Sequence, residues 1–153
     1  MKKLFLVLLT ALSLFAEANP KVVIDLTTGD MHTFEQKILK GIVAHKTYFE
    51  NQLKELDVAV VIHGNAYKFF LKEPAHFDFA KEPELLKAAP DLAKRIAALA
   101  ETYDVTFLMC QAGMTKKKID AKDIYPGIAT VLNAGVGLIE KQNEGYAYLP
   151  VGD

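Results

Sequence analysis

Short β-branched runs alternate along residues 19–153 with longer stretches in which apolar residues recur at helical spacing. Residues 21–26 (KVVIDL) form a run that ends in Thr27, Thr28, Gly29 and Asp30, the pattern of a buried strand leaving into a loop. From Phe34 onward Ile38, Leu39, Ile42, Val43, Phe49, Leu53 and Leu56 follow helical spacing, with Thr33 as the expected N-cap. Residues 57–63 (DVAVVIH) predict a second strand closed by Gly64 and Asn65, and residues 67–71 a short aromatic helical segment. Residues 73–90 hold three of the six prolines and predict irregular backbone, with Pro90 opening the helix of Leu92, Ile96, Leu99 and Tyr103. That helix feeds residues 105–110 (VTFLMC), a third strand. A loop at Gly113, a short helix over 116–121, a strand over 128–132, a helix over 136–143 and a strand over 146–151 complete the pattern.

Strands that alternate with helices imply right-handed βαβ crossovers, and hence a three-layer α/β/α sandwich around a mainly parallel sheet of about five strands. In such sheets reactive groups gather at the carboxyl ends of the strands. The loops leaving those ends are 27–32, 63–65 and 110–115.

The first eighteen residues break the alternation. Lys2 and Lys3 precede an apolar run, and Ala16, Glu17 and Ala18 have the small-x-small form of a cleavage site. The run is shorter than the roughly 20 residues that span a bilayer. Residues 1–18 are therefore expected to be a signal peptide cleaved near Ala18, placing residues 19–153 in the periplasm or outside the cell with no stable membrane insertion.

Composition adds exclusions. With 51% hydrophobic and 24% charged residues, the chain fits one ordinary globular domain. The 18 Lys plus Arg nearly balance the 19 Asp plus Glu, so no overall field favours nucleic acid or an anionic membrane. One Cys rules out an internal disulfide, and the four His show no metal-binding spacing to one another or to that Cys.

The chemistry narrows to Cys110 and His63. Cys110 ends a strand before a Gly-containing loop and Lys116, Lys117 and Lys118, where a helix N-terminus and nearby cations favour thiolate. The same position equally suits a buried, inert core thiol. His63 ends the preceding strand, from which it can face the same edge as a hydrogen-bond partner or proton acceptor, although a structural role is the simpler reading of a lone strand-end His. His45 falls on the stripe of Ile38, Ile42 and Phe49 and reads as a helix histidine, and His76 lies in the Pro-rich stretch. Residues 27–33 have a partial likeness to a flavodoxin phosphate loop, weakened by Asp30.

Several segments together resemble the DsrE/DsrF-like sulfur-relay family, particularly its exported single-domain members. They are Val60-Val61-Ile62-His63-Gly64, Leu108-Met109-Cys110, Asp123-Ile124-Tyr125-Pro126-Gly127, Ala134-Gly135-Val136-Gly137-Leu138-Ile139 and Gln142-Asn143-Glu144-Gly145-Tyr146-Ala147-Tyr148. The resemblance implies an α/β/α fold, homo-oligomers such as trimers or hexamers, and a cysteine that carries sulfane sulfur as a persulfide. Cys110 matches that cysteine, with His63 supporting it and Gly64 and Gly113 letting backbone N–H groups approach the sulfur. It implies no cofactor, and its partners would be sulfur donors and acceptor thiols, either proteins or small sulfur compounds. Two other readings stand beside it: a non-catalytic oligomeric scaffold with a structural cysteine, and a nucleotide binder acting through residues 28–33.

Overall fold

The computed structural model describes residues 19–153, so the expected signal peptide lies outside the described residues. Five strands, β1 (Lys21–Leu26), β2 (Asp57–Ile62), β3 (Val105–Cys110), β4 (Ile128–Val131) and β5 (Ala147–Val151), form one wholly parallel sheet in the order β4-β3-β2-β1-β5. The central strand β2 is buried from Val58 to Ile62, as its unbroken apolar sequence requires of a strand covered on both faces. The register pairs Asp25 with Val61, Val61 with Leu108 and Cys110 with Val131.

Side chains alternate across β3. Val105, Phe107 and Met109 face one side; Thr106, Leu108 and Cys110 face the other. On the first side Phe107 meets Phe70, which meets Phe34 edge-on, and Phe34 stacks on Phe69 at 4.2 Å. Each such aromatic pair adds about 0.5–1.5 kcal/mol beyond area burial. This cluster joins the first helical region, the 3₁₀ turn Ala66–Phe70 and the sheet into one core. α5 (Ala134–Asn143) packs against all five strands, and Gly137 lies close against Val131. With the right-handed crossovers general to parallel βαβ units, the strand order puts the links from β1 through β4 on one face and returns the chain through α5 on the other.

Several helix boundaries differ from those the sequence predicts. The first helical region runs as α1 (Met31–Phe34), a π-helical stretch (Glu35–Lys40) and α2 (Gly41–Glu50). Its cap is Asp30, not Thr33: the Asp30 carboxylate accepts from the Thr33 N–H at 2.6 Å. Leu53 lies past the helix in a left-handed turn and is 98% exposed, so it does not extend the apolar stripe. His45 is exposed, and the buried polar residue of this helix is Lys46, whose ammonium donates to the Leu56 carbonyl at 2.7 Å. α3 (Pro83–Glu101) starts seven residues before the expected Pro90, with Pro83 in the first turn and Pro90 exposed inside the helix. Leu85, Ala89, Leu92, Ile96 and Leu99 form one buried face through Pro90, and their burial outweighs the backbone bond the proline omits. α4 (Gln111–Lys117) begins directly after Cys110, so Gly113 is helical and Lys116 and Lys117 close the helix rather than open it. A 3₁₀ turn (Ala121–Asp123) replaces the far end of the expected 116–121 helix. No helix of the described residues is long and apolar enough to cross a membrane.

Candidate functional site

Cys110 sits at a topological switch point. The chain leaves β3 into α4 on one face and leaves its neighbour β4 into α5 on the other, opening a crevice at the carboxyl ends of these strands. A cleft of about 560 Å³ lies there, and its lining includes His63, Gly64, Tyr67, Cys110, Gly113 and Lys117. The site thus unites His63 and Cys110, the two residues singled out by the sequence.

Cys110 is only 6% exposed. Burial opposes ionisation of its thiol, but the Gly113 N–H, the Tyr67 hydroxyl, and the N–H groups of Ala134 and Ala112 together outweigh it and hold the thiol below its ordinary range. The three N–H groups come from the starts of two helices, α4 and α5, and the hydroxyl from the 3₁₀ turn Ala66–Phe70. Asn133 fixes the second start, its side-chain oxygen accepting from the Val136 N–H at 2.9 Å. Main-chain donors and a hydroxyl therefore supply what the sequence reading assigned partly to Lys116, Lys117 and Lys118.

Tyr67 explains the glycine at 113. Its hydroxyl donates to the Cys110 carbonyl at 2.8 Å, and a Cβ on Gly113 would fall 1.9 Å from that hydroxyl oxygen. The single hydroxyl proton can serve the carbonyl or a thiolate, not both at once. Burial, followed by the bond to Cys110, pushes the Tyr67 phenol upward, so it remains a donor. Lys117 lies over the Tyr67 and Phe79 rings, with its ammonium 5.8 and 6.0 Å from their centroids.

His63 directly follows β2 and precedes Gly64, which turns at φ +63, a conformation suited to glycine. Its main-chain N–H donates to the Leu26 carbonyl, and its Nε2 lies 2.6 Å from Asp25 Oδ1. Tyr148 donates to the other carboxylate oxygen, Oδ2, also at 2.6 Å. Asp25, Tyr67 and Tyr148 were not identified from sequence. The available signal for Asp25 was a carboxylate interrupting the apolar run KVVIDL, but its partners depend on strand order.

The loop after β1 is engaged by the chain itself. The buried Thr28 hydroxyl and the Gly29 N–H both donate to the Asp153 carboxylate, while the Asp30 N–H donates to Thr28 Oγ1. The Thr28 hydroxyl, opposed by burial and aided by the Gly29 and Asp30 N–H groups, holds the Asp153 carboxyl below its usual range. This contact occupies the donors on which a phosphate-loop reading of residues 27–33 depended. His76 lies apart, exposed at the end of the 3₁₀ turn Pro74–His76.

The fold and cleft define a parallel α/β domain with a donor-stabilised cysteine at a strand end. The profile of the DsrE/DsrF-like family matches residues 21–151, and the chain belongs to that family. It is 29% identical to an uncharacterized protein of Aquifex aeolicus (strain VF5) over 98% of this chain, which spans 64% of that relative's length. It also resembles the solved structure of MTH1491, a protein of unknown function from Methanobacterium thermoautotrophicum. That match has a TM-score of 0.62 and 17% identity, covering 86% of this chain and 99% of that one, and it shows the fold.

Proposed function

We propose that the protein is an exported sulfur carrier that transfers sulfane sulfur through a persulfide on Cys110. Family membership suggests a sulfur-relay-related role. The observation that supports this particular chemistry is the donor set around Cys110, which favours thiolate despite burial. A thiolate is the form that accepts sulfane sulfur and departs when the outer sulfur moves to another thiol. Sulfur donors and acceptor thiols, as proteins or small compounds, are the proposed partners.

The proposal of export rests on the sequence of residues 1–18, with its basic start, apolar run and small-x-small end. Self-association is part of the same proposal: Leu132 is 68% exposed and Ile139 60%, apolar area that another copy would cover. Intact-mass measurement after exposure to polysulfide, with Cys110→Ser alongside, tests the carrier chemistry. One added sulfur atom, removed by reductant and absent in the variant, is expected.

A further inference from the structure

We propose that Asp25 and Tyr148 are positioning residues that fix the His63 imidazole so that it takes the proton of an incoming thiol during sulfur transfer. The inference rests on the carrier reading and extends it to proton movement. Asp25 is a carboxylate within an apolar strand, where desolvation is costly unless its oxygens are bonded. Both are: His63 Nε2 lies 2.6 Å from Oδ1, and the Tyr148 hydroxyl lies 2.6 Å from Oδ2.

A carboxylate only accepts hydrogen bonds, so a neutral His63 donates from Nε2 and keeps the lone pair on Nδ1. The register places His63 on the same side of the sheet as Cys110. Asp25 pairs with Val61 and Val61 with Leu108; His63 and Cys110 follow by two positions, the period that keeps side chains on one face. Both then line the same cleft.

In the proposed step, His63 Nδ1 accepts the proton of a thiol R–SH as its sulfur attacks the outer sulfur of Cys110–S–SH. The R–S bond to that outer sulfur forms, the bond from Cys110 Sγ to it breaks, and the electron pair remains on Sγ as thiolate. The products are R–S–SH, Cys110 thiolate and His63 imidazolium, with no net oxidation. The N–H donors of α4 and α5 hold the thiolate.

The test uses the full described domain with polysulfide as sulfur donor and dithiothreitol as acceptor. Transfer is followed by mass across the imidazole and thiol titration ranges, together with Cys110 alkylation by iodoacetamide in sulfur-free protein. Other charged or titratable groups facing this cleft are Tyr67, Asp78, Lys116 and Lys117, so the variants leave them unchanged. Asp25→Asn removes the negative charge that favours the imidazolium formed in this step and replaces one acceptor oxygen by an NH2; its transfer rate should fall about tenfold or more. Its alkylation profile against pH should also differ from that of wild type. Asp25→Glu should restore most of the rate, and Tyr148→Phe, altering a half-exposed ring, should slow transfer without unfolding. Unchanged rates and pH profiles in Asp25→Asn and Tyr148→Phe would overturn the inference. Failure of wild type to load sulfur, with an alkylation profile still altered by Asp25→Asn, would instead overturn the carrier reading and retain the positioning role.

Discussion

Cys110 combines two properties that usually oppose each other: burial, which suppresses the charged thiolate, and convergent hydrogen-bond donors, which favour it. Because the net shift is downward, Cys110 alkylation should reach its plateau at lower pH than an ordinary cysteine. Tyr67→Phe removes one donor and should move the midpoint upward, as measured by iodoacetamide kinetics against pH. The sign for stability follows. A group with a lowered folded-state value stabilises the fold above the unfolded thiol value and loses that contribution as pH falls through the folded value. Urea unfolding should therefore show the stability difference between wild type and Cys110→Ser changing in favour of wild type as pH rises through that interval. Gly113→Ala should cost about 1–3 kcal/mol, because the new methyl meets the buried Tyr67 hydroxyl. Cys110 and His63 were legible because they end strands; Tyr67 and Asp25 were not, because their roles depend on contacts across 43 and 38 positions of sequence.

Among the elements, the strands were the most legible, since β1 and β2 are short, largely β-branched runs with a turn beyond them. Helix starts were less so. Asp30 and Thr33 are both capable caps, and only the geometry shows which one accepts from the other. Pro90 suited a helix start, but the buried face extends through it back to Leu85. Pro90→Ala restores a backbone N–H at an exposed helical site and should raise thermal stability, by about 1–3 kcal/mol in chemical denaturation. Asn133→Ala should cost about 1 kcal/mol by uncapping α5. It should also slow Cys110 alkylation at neutral pH, because the Ala134 N–H lies at that helix start.

For the whole molecule, alternating strands and helices defined the α/β class, whereas the strand order could not be read from local pattern. That order creates the switch point between β3 and β4 and places Asp25, His63 and Cys110 on one sheet face. The carrier account requires this assembled site to accept one sulfur and release it to a thiol. Its most direct test is intact mass of the full described domain after polysulfide treatment, with and without reductant, for wild type and Cys110→Ser. The account predicts a gain of one sulfur atom in wild type, reversed by reductant and absent from the variant. No gain, with Cys110 also resistant to alkylation until unfolding, would contradict it and favour a structural cysteine.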